Sequence, residues 1–295
     1  MSGQKVTIGL VQMSMEEDPR ANIRKAVGMI SEAAVKGAEV VCLPELFSTK
    51  YFPQYDTING RRREQAPHDT VPGHITEVLS NAAAKAKVVL IGGSIFEKDG
   101  DHFFNTSPVF DQGGRMIGRY RKTHIPHDEF FYEQSYFEPG DSGFQVYDTD
   151  KGRLGVMICY DQWYPEAART NALQGAEMVF YPTAIGRVKG VEQVEGDWQQ
   201  AWENVMRGHA IANGMVVAAC NRVGVEDRME FWGGSFVIDA FGKTLARGSE
   251  EEEIVMATVD LEHGENVRKG WRFFPNRRPE CYSHLVKKVE YVRRD

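Results

Sequence analysis

The chain has 295 residues, of which 42% are hydrophobic and 26% charged, a composition typical of a globular protein. Its formal net charge of −7 at pH 7 excludes the broadly basic surface that binding to a nucleic-acid backbone requires. No apolar run approaches the roughly 20 residues of a membrane-spanning helix, and the first residues lack a signal-peptide pattern. We therefore expect a cytoplasmic protein with no nucleic-acid or membrane partner, whose four dispersed cysteines are free thiols.

Strand-like and helix-like segments alternate along the first half. The chain opens with a strand, "VTIGLVQM", and a helix is predicted to begin at Asp18 and Pro19, since Asp can cap it and Pro fits its first turn. Gly37 ends this helix, and "AEVVCLPELF" is typical of a buried strand. A helix over about 74–86 then leads into "KVVLIGGSIFE", and "NTSPVFDQGGRMIGRY" predicts a hairpin.

The second half repeats this order. A strand runs into Cys159, a helix is predicted from Pro165 through Leu173, and Gly175 ends it before the strand "AEMVFYPTA". The segments "GAEVVCLPE" and "GAEMVFYPT" are nearly the same sequence. A helix over about 198–213, the strand "GMVVAACNRVG" and the hairpin "GGSFVIDAFGKTLARG" complete the repetition.

Two similar halves with almost continuously apolar strands predict an α/β fold with two sheets packed face to face and helices outside. This arrangement is a four-layer α-β-β-α sandwich with an internal pseudo-two-fold duplication. No linker or low-complexity segment divides the chain, so residues 1–295 are expected to form a single domain.

Three side chains at the ends of predicted elements are candidates for chemistry. Glu45 follows a buried strand, at the sheet edge where α/β proteins place ligands. Cys159 is expected between a strand end and a helix N-terminus, which would lower the pKa of its thiol. Lys122 precedes a long loop rich in His, acidic and aromatic residues. Each residue alone also fits a structural role. Together they suggest a nucleophile, a general base and an oxyanion-stabilising cation, with the backbone N–H of Tyr160 as a second oxyanion donor.

The segments around these residues resemble the motifs of the nitrilase, or carbon–nitrogen hydrolase, superfamily. They are "LPELF" around Glu45, "YRKTHIPH" around Lys122 and "ICYDQWYPE" around Cys159, in the same order as in the family. The resemblance implies the α-β-β-α fold, hydrolysis of a non-peptide C–N bond through a thioester on the cysteine, and no metal or organic cofactor. It also implies that Glu133, in "FYEQSYFEPGD", positions Lys122 or the substrate.

Within the superfamily, "CYDQWYPEAAR", "YPTAIG" and "GWRFFPNRRPECY" resemble the branch that hydrolyses N-carbamoylputrescine in polyamine synthesis. The resemblance implies that Cys159 attacks the carbonyl of this terminal ureide and that Glu45 protonates the departing nitrogen. The products would be putrescine, CO2 and ammonia. After "PTAIG", where that branch usually has Ser-Glu-Pro, this chain has Arg187-Val188-Lys189. That basic pair leaves N-carbamoyl-β-alanine, an N-carbamoyl amino acid or a simple amide open as the substrate.

The candidates for contact with the substrate are His127, Trp163, Thr183, Ala184 and Arg187. Two other classes of function fit the sequence less well. A metal hydrolase built on His124, His127 and Asp128 is disfavoured by Pro126 and by the lack of an HExxH pattern. A non-catalytic scaffold is disfavoured by the intact Glu–Lys–Cys set. The resemblance also implies a homo-oligomer, a dimer or larger, with the tail from about residue 270 in its contacts.

Overall fold

The computed structural model describes residues 4–57 and 61–288. Its strands are β1 (Lys5–Gln12), β2 (Val40–Cys42), β3 (Val89–Ile91), β4 (Ile95–Asp99), β5 (His102–Phe110), β6 (Met116–Arg121), β7 (Val146–Thr149), β8 (Gly152–Val156), β9 (Met178–Thr183), β10 (Gly186–Val188), β11 (Val216–Asn221), β12 (Val223–Glu226), β13 (Met229–Trp232), β14 (Phe236–Ile238), β15 (Thr244–Arg247) and β16 (Glu253–Asp260). Its α-helices are α1 (Pro19–Val35), α2 (Arg61–Gln65), α3 (His74–Ala86), α4 (Pro165–Leu173), α5 (Trp198–Asn213) and α6 (Leu261–Trp271).

The two large sheets pack against each other. One has the strand order β16-β1-β2-β3-β5-β4 with β6 also paired to β5, and the other has the order β15-β14-β11-β9-β8-β7. Buried side chains of both sheets, such as Leu10 and Val156, share one core cluster, which also includes Trp202 of α5. On the first sheet, Val41 belongs to a second cluster with Ile30 of α1. The predicted four-layer α-β-β-α sandwich is therefore confirmed.

The duplication predicted from the sequence is visible in the pairing of the strands. In the first sheet β1, β2 and β3 are parallel neighbours, and antiparallel strands β16 and β5 flank them. In the second sheet β8, β9 and β11 are parallel neighbours, and antiparallel strands β7 and β14 flank them. Because each set of parallel strands ends at one edge of its sheet, the segments that follow β2 and β8 can meet in one crevice.

The helix ends follow the local signals in the sequence. Asp18 caps α1 by accepting a hydrogen bond from the backbone N–H of Arg20 at 3.0 Å. Gly37 follows that helix with a φ of +94°, a conformation that favours glycine. Pro165 is the first residue of α4, and Gly175 follows it with a φ of +95°. These ends were predictable because the residue types that set them lie within one turn of each end.

Two parts of the fold differ from the predictions. β2 is only three residues long, because Pro44 has no N–H for a sheet and Leu46 has a φ of +47°. The strands β10, β13 and β12 form a third, small sheet that the sequence did not predict. Of the predicted oligomer-contact tail, residues 289–295 lie outside the described residues, and its role stays a prediction.

Within the described residues, no helix is both long enough and apolar enough to cross a lipid bilayer.

Candidate active site

The structure brings Glu45, Lys122 and Glu133 together in the interior. The ammonium Nζ of Lys122 donates to Glu45 Oε1 at 2.8 Å and to Glu133 Oε2 at 2.6 Å. All three side chains are buried. Cys159 lines the same cavity as Glu133, and its thiol donates a weak hydrogen bond to the carbonyl of Ala184 at 3.8 Å. The four groups come from the segments after β2, β6 and β8 and from the loop between β6 and β7.

Only one of the two carboxylate oxygens of Glu45 is occupied. Its Oε1 accepts from Lys122 and also from Asn105 Nδ2, at 2.8 Å. Its Oε2 is buried and has no hydrogen-bond partner in the described part of the chain. A buried acceptor without a partner is costly, and here it leaves a basic oxygen unoccupied on a carboxylate whose charge acts on the thiol of Cys159. Glu45 can therefore take a proton from a reacting group while its other oxygen stays fixed.

The loop that carries Glu45 is shaped by close contact with Gly93 and Ser94. Gly93 has a φ of +62°, and a Cβ there would collide with the carbonyl oxygen of Pro44. Ser94 accepts a hydrogen bond from the backbone N–H of Leu46 on its Oγ, at 2.9 Å. These contacts from the first sheet fix the backbone on both sides of Glu45.

The sequence predicted that Cys159 ends a strand, but in the structure it lies beyond the strand end. β8 ends at Val156, and Cys159 is the first residue of a short 3-10 turn that runs to Trp163. Its φ of +42° is unusual for a residue with a side chain. The turn leaves the backbone N–H of Tyr160 without a hydrogen bond among the described residues. Its role as an oxyanion donor stays a prediction.

The predicted lowering of the thiol pKa is wrong. Burial raises the pKa of the Cys159 thiol well above its usual value, and the carboxylate of Glu45 raises it further, against the opposing effect of Lys122. The helix α4, whose N-terminus was expected to stabilise a thiolate, begins only at Pro165. The resting cysteine is therefore a thiol, and its activation requires a base.

The charges around Lys122 hold it in the cationic form. Burial acts to lower the pKa of Lys122, but the carboxylates of Glu133 and Glu45 outweigh it and raise that pKa. Burial raises the pKa of Glu133 to about 7, assisted by Glu45 and opposed by Lys122. Glu133 also accepts a hydrogen bond from the phenol of Tyr51 at 2.8 Å. The arrangement keeps a permanent cation next to a carboxyl group that titrates near neutral pH.

A buried carboxylate, Asp161, holds the nucleophile turn in place. It accepts hydrogen bonds from the backbone N–H of Ile158 at 3.0 Å and from the phenol of Tyr120 at 2.8 Å. Its other oxygen faces the backbone N–H of His124 at 3.0 Å and the ring Nδ1 of His124 at 2.7 Å. Asp161 thus ties the turn of Cys159 to the segment that carries Lys122.

Among the described residues no cluster of His, Cys, Asp and Glu side chains is arranged to hold a metal ion.

Replacing Asp161 by asparagine is expected to lower kcat about ten- to hundredfold, since the amide presents N–H groups to donors and a misplaced nucleophile reacts slowly. The measurement is kcat per folded molecule, with folding followed by near-UV circular dichroism. Asp148→Asn is the control, because Asp148 is exposed and pairs with Arg153 away from this site. A kcat within twofold of the parent would contradict the assigned role.

The thiol of Cys159 opens into a cavity of about 390 Å³. Its lining residues are Pro126, Asp128, Phe131, Glu133, Cys159, Tyr160, Gln162, Trp163, Ala184, Ile185, Gly186, Trp198 and Ala201. Most of these side chains are apolar, and the charged ones are acidic. This volume is within the range of pockets that take small organic ligands.

Of the predicted substrate contacts, Trp163 and Ala184 line this cavity, whereas three others lie outside its lining. Thr183 is buried and supports Glu45, whose backbone N–H donates to its carbonyl at 3.4 Å. His127 is exposed, with its ring centroid 5.9 Å from that of Tyr132. Arg187 is exposed and faces Glu230 at 4.0 Å.

Several residues of the site carried no signal in the sequence. Asn105 and Tyr51 contact the two carboxylates, yet neither stands in a pattern that distinguishes it from an ordinary polar or aromatic residue. Trp198 contributes to the cavity from the start of α5, where the amphipathic pattern predicts only packing. Asp161 had the clearest potential signal, because an acidic residue two positions after a candidate nucleophile can fold back on its turn.

Comparison with known proteins agrees with this geometry. Residues 7–269 match the family described as carbon-nitrogen hydrolase. N-carbamoylputrescine amidase from Solanum lycopersicum is 38% identical over 293 residues, covering 95% of each chain. Citrullinase from Francisella tularensis is 37% identical over 289 residues, covering 96% of this chain and 99% of the other.

Among solved structures, the carbon-nitrogen hydrolase of Helicobacter pylori G27 superimposes with a TM-score of 0.87 and 39% identity, covering 97% of this chain and 99% of the other. The family match over residues 7–269 includes Glu45, Lys122, Glu133 and Cys159. The chain therefore belongs to the carbon–nitrogen hydrolase family of the nitrilase superfamily and is a hydrolase that acts on amide-type bonds.

Proposed function

We propose that the chain is a thiol amidohydrolase that cleaves the terminal ureide of N-carbamoylputrescine. The charge of the cavity carries the choice of substrate. Asp128 and Glu133 are the charged residues in its described lining, which includes no lysine, arginine or histidine. Because Glu133 is paired with Lys122, Asp128 supplies the charge that distinguishes the candidate substrates. A cationic end is favoured there and a carboxylate end is disfavoured. The relatives named N-carbamoylputrescine amidase, at 36–38% identity, support the same substrate.

The reaction begins at the thiol of Cys159. Its proton moves to the free Oε2 of Glu45, and the sulfur attacks the ureide carbonyl carbon. The negative oxygen of the tetrahedral intermediate is stabilised by Lys122 and by the backbone N–H of Tyr160. Glu45 then returns the proton to the departing nitrogen, so that putrescine leaves and a carbamoyl group remains on the sulfur.

The second half of the reaction regenerates the thiol. Glu45 takes a proton from a water molecule, which attacks the carbamoyl carbon, and the C–S bond breaks as Cys159 is protonated again. The carbamate that is released decomposes to CO2 and ammonia. Glu133, hydrogen-bonded to Lys122 and Tyr51, holds the ammonium in place throughout.

The basic residues after "PTAIG" do not supply a carboxylate-binding site in this account. The side chain of Arg187 is 45% exposed, faces Glu230 and lies outside the cavity lining. The second candidate is citrulline, because one relative is named citrullinase. Citrulline carries a carboxylate as well as an ammonium group at the end remote from its ureide. The two candidates therefore differ in the charge that they bring toward Asp128.

Ammonia release should be measured with N-carbamoylputrescine, citrulline and N-carbamoyl-β-alanine, with Cys159→Ala as the blank. We expect the first substrate to have the highest kcat/KM, and we expect Asp128→Asn to reduce that preference by raising KM for the cationic ureide. A higher kcat/KM for N-carbamoyl-β-alanine would overturn the choice of substrate. Release no faster than the blank from all three would overturn the ureide reaction itself.

A further inference from the structure

Arg222, at the junction of β11 and β12, is completely buried and makes an unusual number of contacts. One guanidinium nitrogen, Nη1, donates to both carboxylate oxygens of Glu226, at 2.9 Å and 3.0 Å. The other, Nη2, faces three backbone carbonyls of one loop. These are the carbonyls of Glu45 at 3.2 Å, Leu46 at 2.8 Å and Thr49 at 2.9 Å.

Glu226 extends these contacts to a second part of the site. Its Oε2 accepts a hydrogen bond from the backbone N–H of Tyr51 at 2.6 Å. The phenol of Tyr51 in turn donates to Glu133 at 2.8 Å. The ion pair therefore holds the backbone at two places. One is Glu45, which carries one of the carboxyl groups beside Lys122, and the other is Tyr51, which donates to the second, Glu133.

We propose that Arg222 and Glu226 are positioning residues, which set the distance between the carboxylate of Glu45 and the thiol of Cys159. The inference rests on the proposed function in one respect, the role of Glu45 as the base. The pair lies in the second half of the duplicated fold, whereas the loop from Glu45 to Tyr51 lies in the first. The second half thus supplies both the nucleophile and the contacts that orient its base.

The shape of the loop explains why such contacts are needed. Leu46, next to the base, has a φ of +47°, which is unfavourable for a residue with a branched side chain. Three carbonyls of the loop converge on one position. There the planar guanidinium of a single arginine can donate hydrogen bonds to all of them and to Glu226. A buried ion pair adds little net stability in general. Its contribution here is the conformation of the loop, and lysine cannot reproduce it with one ammonium group.

The test compares Arg222→Lys with Arg268→Lys. Arg268 is the matched control, because it also binds backbone carbonyls, those of Asn213 at 3.0 Å and Ala176 at 2.5 Å. It lies on α6 and outside the cavity lining. Glu226→Gln is a milder second variant, since the amide oxygen can still accept from Tyr51. Folding is followed by near-UV circular dichroism, and rates are expressed per folded molecule.

The first readout needs no substrate. The rate of alkylation of Cys159 by iodoacetamide is measured against pH, with the modified peptide quantified by mass spectrometry. If the loop relaxes and Glu45 moves away from the thiol, the carboxylate no longer raises the thiol pKa. The midpoint for Arg222→Lys should then move to lower pH by at least about half a unit, whereas that of Arg268→Lys should match the parent.

The second readout is the turnover of whichever ureide or amide the parent hydrolyses. For Arg222→Lys we expect kcat to fall at least about tenfold with KM changed less than about twofold, since the base is misplaced and the cavity is not. Glu226→Gln should show a smaller change in the same direction. Unchanged alkylation and kcat in a folded Arg222→Lys variant would overturn the inference. Failure of the parent to hydrolyse ureides would instead contradict the proposed function and leave the alkylation comparison decisive.

Discussion

Glu45→Gln is expected to lower kcat by about 10²–10⁴-fold, the range that general acid–base catalysis contributes. The loss should be near the upper end, because burial keeps the thiol of Cys159 protonated and the variant has no carboxylate to accept that proton. The substitution is nearly isosteric. The amide oxygen can still accept from Lys122 and Asn105, and the amide nitrogen replaces Oε2, which has no hydrogen-bond partner among the described residues. The substitution therefore removes basicity and leaves the neighbouring contacts in place.

The control for this variant is Glu97→Gln. Glu97 is as deeply buried as Glu45 and pairs with Arg121, but its carboxylate accepts from Thr106, Arg119 and Arg121 and not from Lys122. We expect Glu97→Gln to lower the melting temperature while the catalytic rate per folded molecule stays within a few-fold of the parent. If Glu45→Gln kept more than about a tenth of the parental kcat, Glu45 would not be the base.

Lys122→Met is expected to abolish measurable turnover and to destabilise the fold. Methionine has nearly the length of lysine, but it leaves Glu45 and Glu133 facing each other without a cation. Removing one partner of a buried ion pair costs about 3–5 kcal/mol. One of the two carboxyl groups must then hold a proton at neutral pH, because like charges this close cannot both ionise in the interior. The developing oxyanion also loses its cationic donor.

A double variant separates the two effects of that substitution. Lys122→Met with Glu133→Gln removes one of the two opposed carboxylates, and we expect it to regain much of the lost stability without regaining turnover. Chemical denaturation and ammonia release are measured on the parent, the single variants and the double variant. A double variant with a kcat near that of the parent would show that Lys122 acts only as a structural counter-ion.

The layers of the fold could be predicted because the signals were local and occurred twice. Asp18, Gly37, Pro165 and Gly175 each stand at a helix end, and the near-identical segments that contain β2 and β9 revealed the duplication. The third sheet could not be predicted in this way. Its strand β10 is only three residues long, and it pairs with β13, which lies about forty residues further along the chain. No local pattern in the sequence encodes such a pairing.

The principal groups of the site could be predicted, whereas their electrostatic state could not. Glu45, Lys122 and Cys159 stood in recognisable motifs, and each follows an element that ends at the same crevice. The pKa of the thiol depends instead on how deeply Cys159 is buried and on how near it lies to groups from other segments, those of Glu45, Lys122, Glu133 and Ala184. The same holds for Arg222. Its guanidinium makes five hydrogen bonds, two to Glu226 and three to carbonyls more than 170 positions earlier in the chain.

The most direct test of the central claim is acid quenching of the enzyme during turnover of N-carbamoylputrescine, followed by mass spectrometry of its peptides. The proposed mechanism predicts one added carbamoyl group, located on Cys159 and lost again when the substrate is exhausted. Ammonia release by the parent with an unmodified Cys159 at every time point, or with the carbamoyl group on another residue, would contradict it.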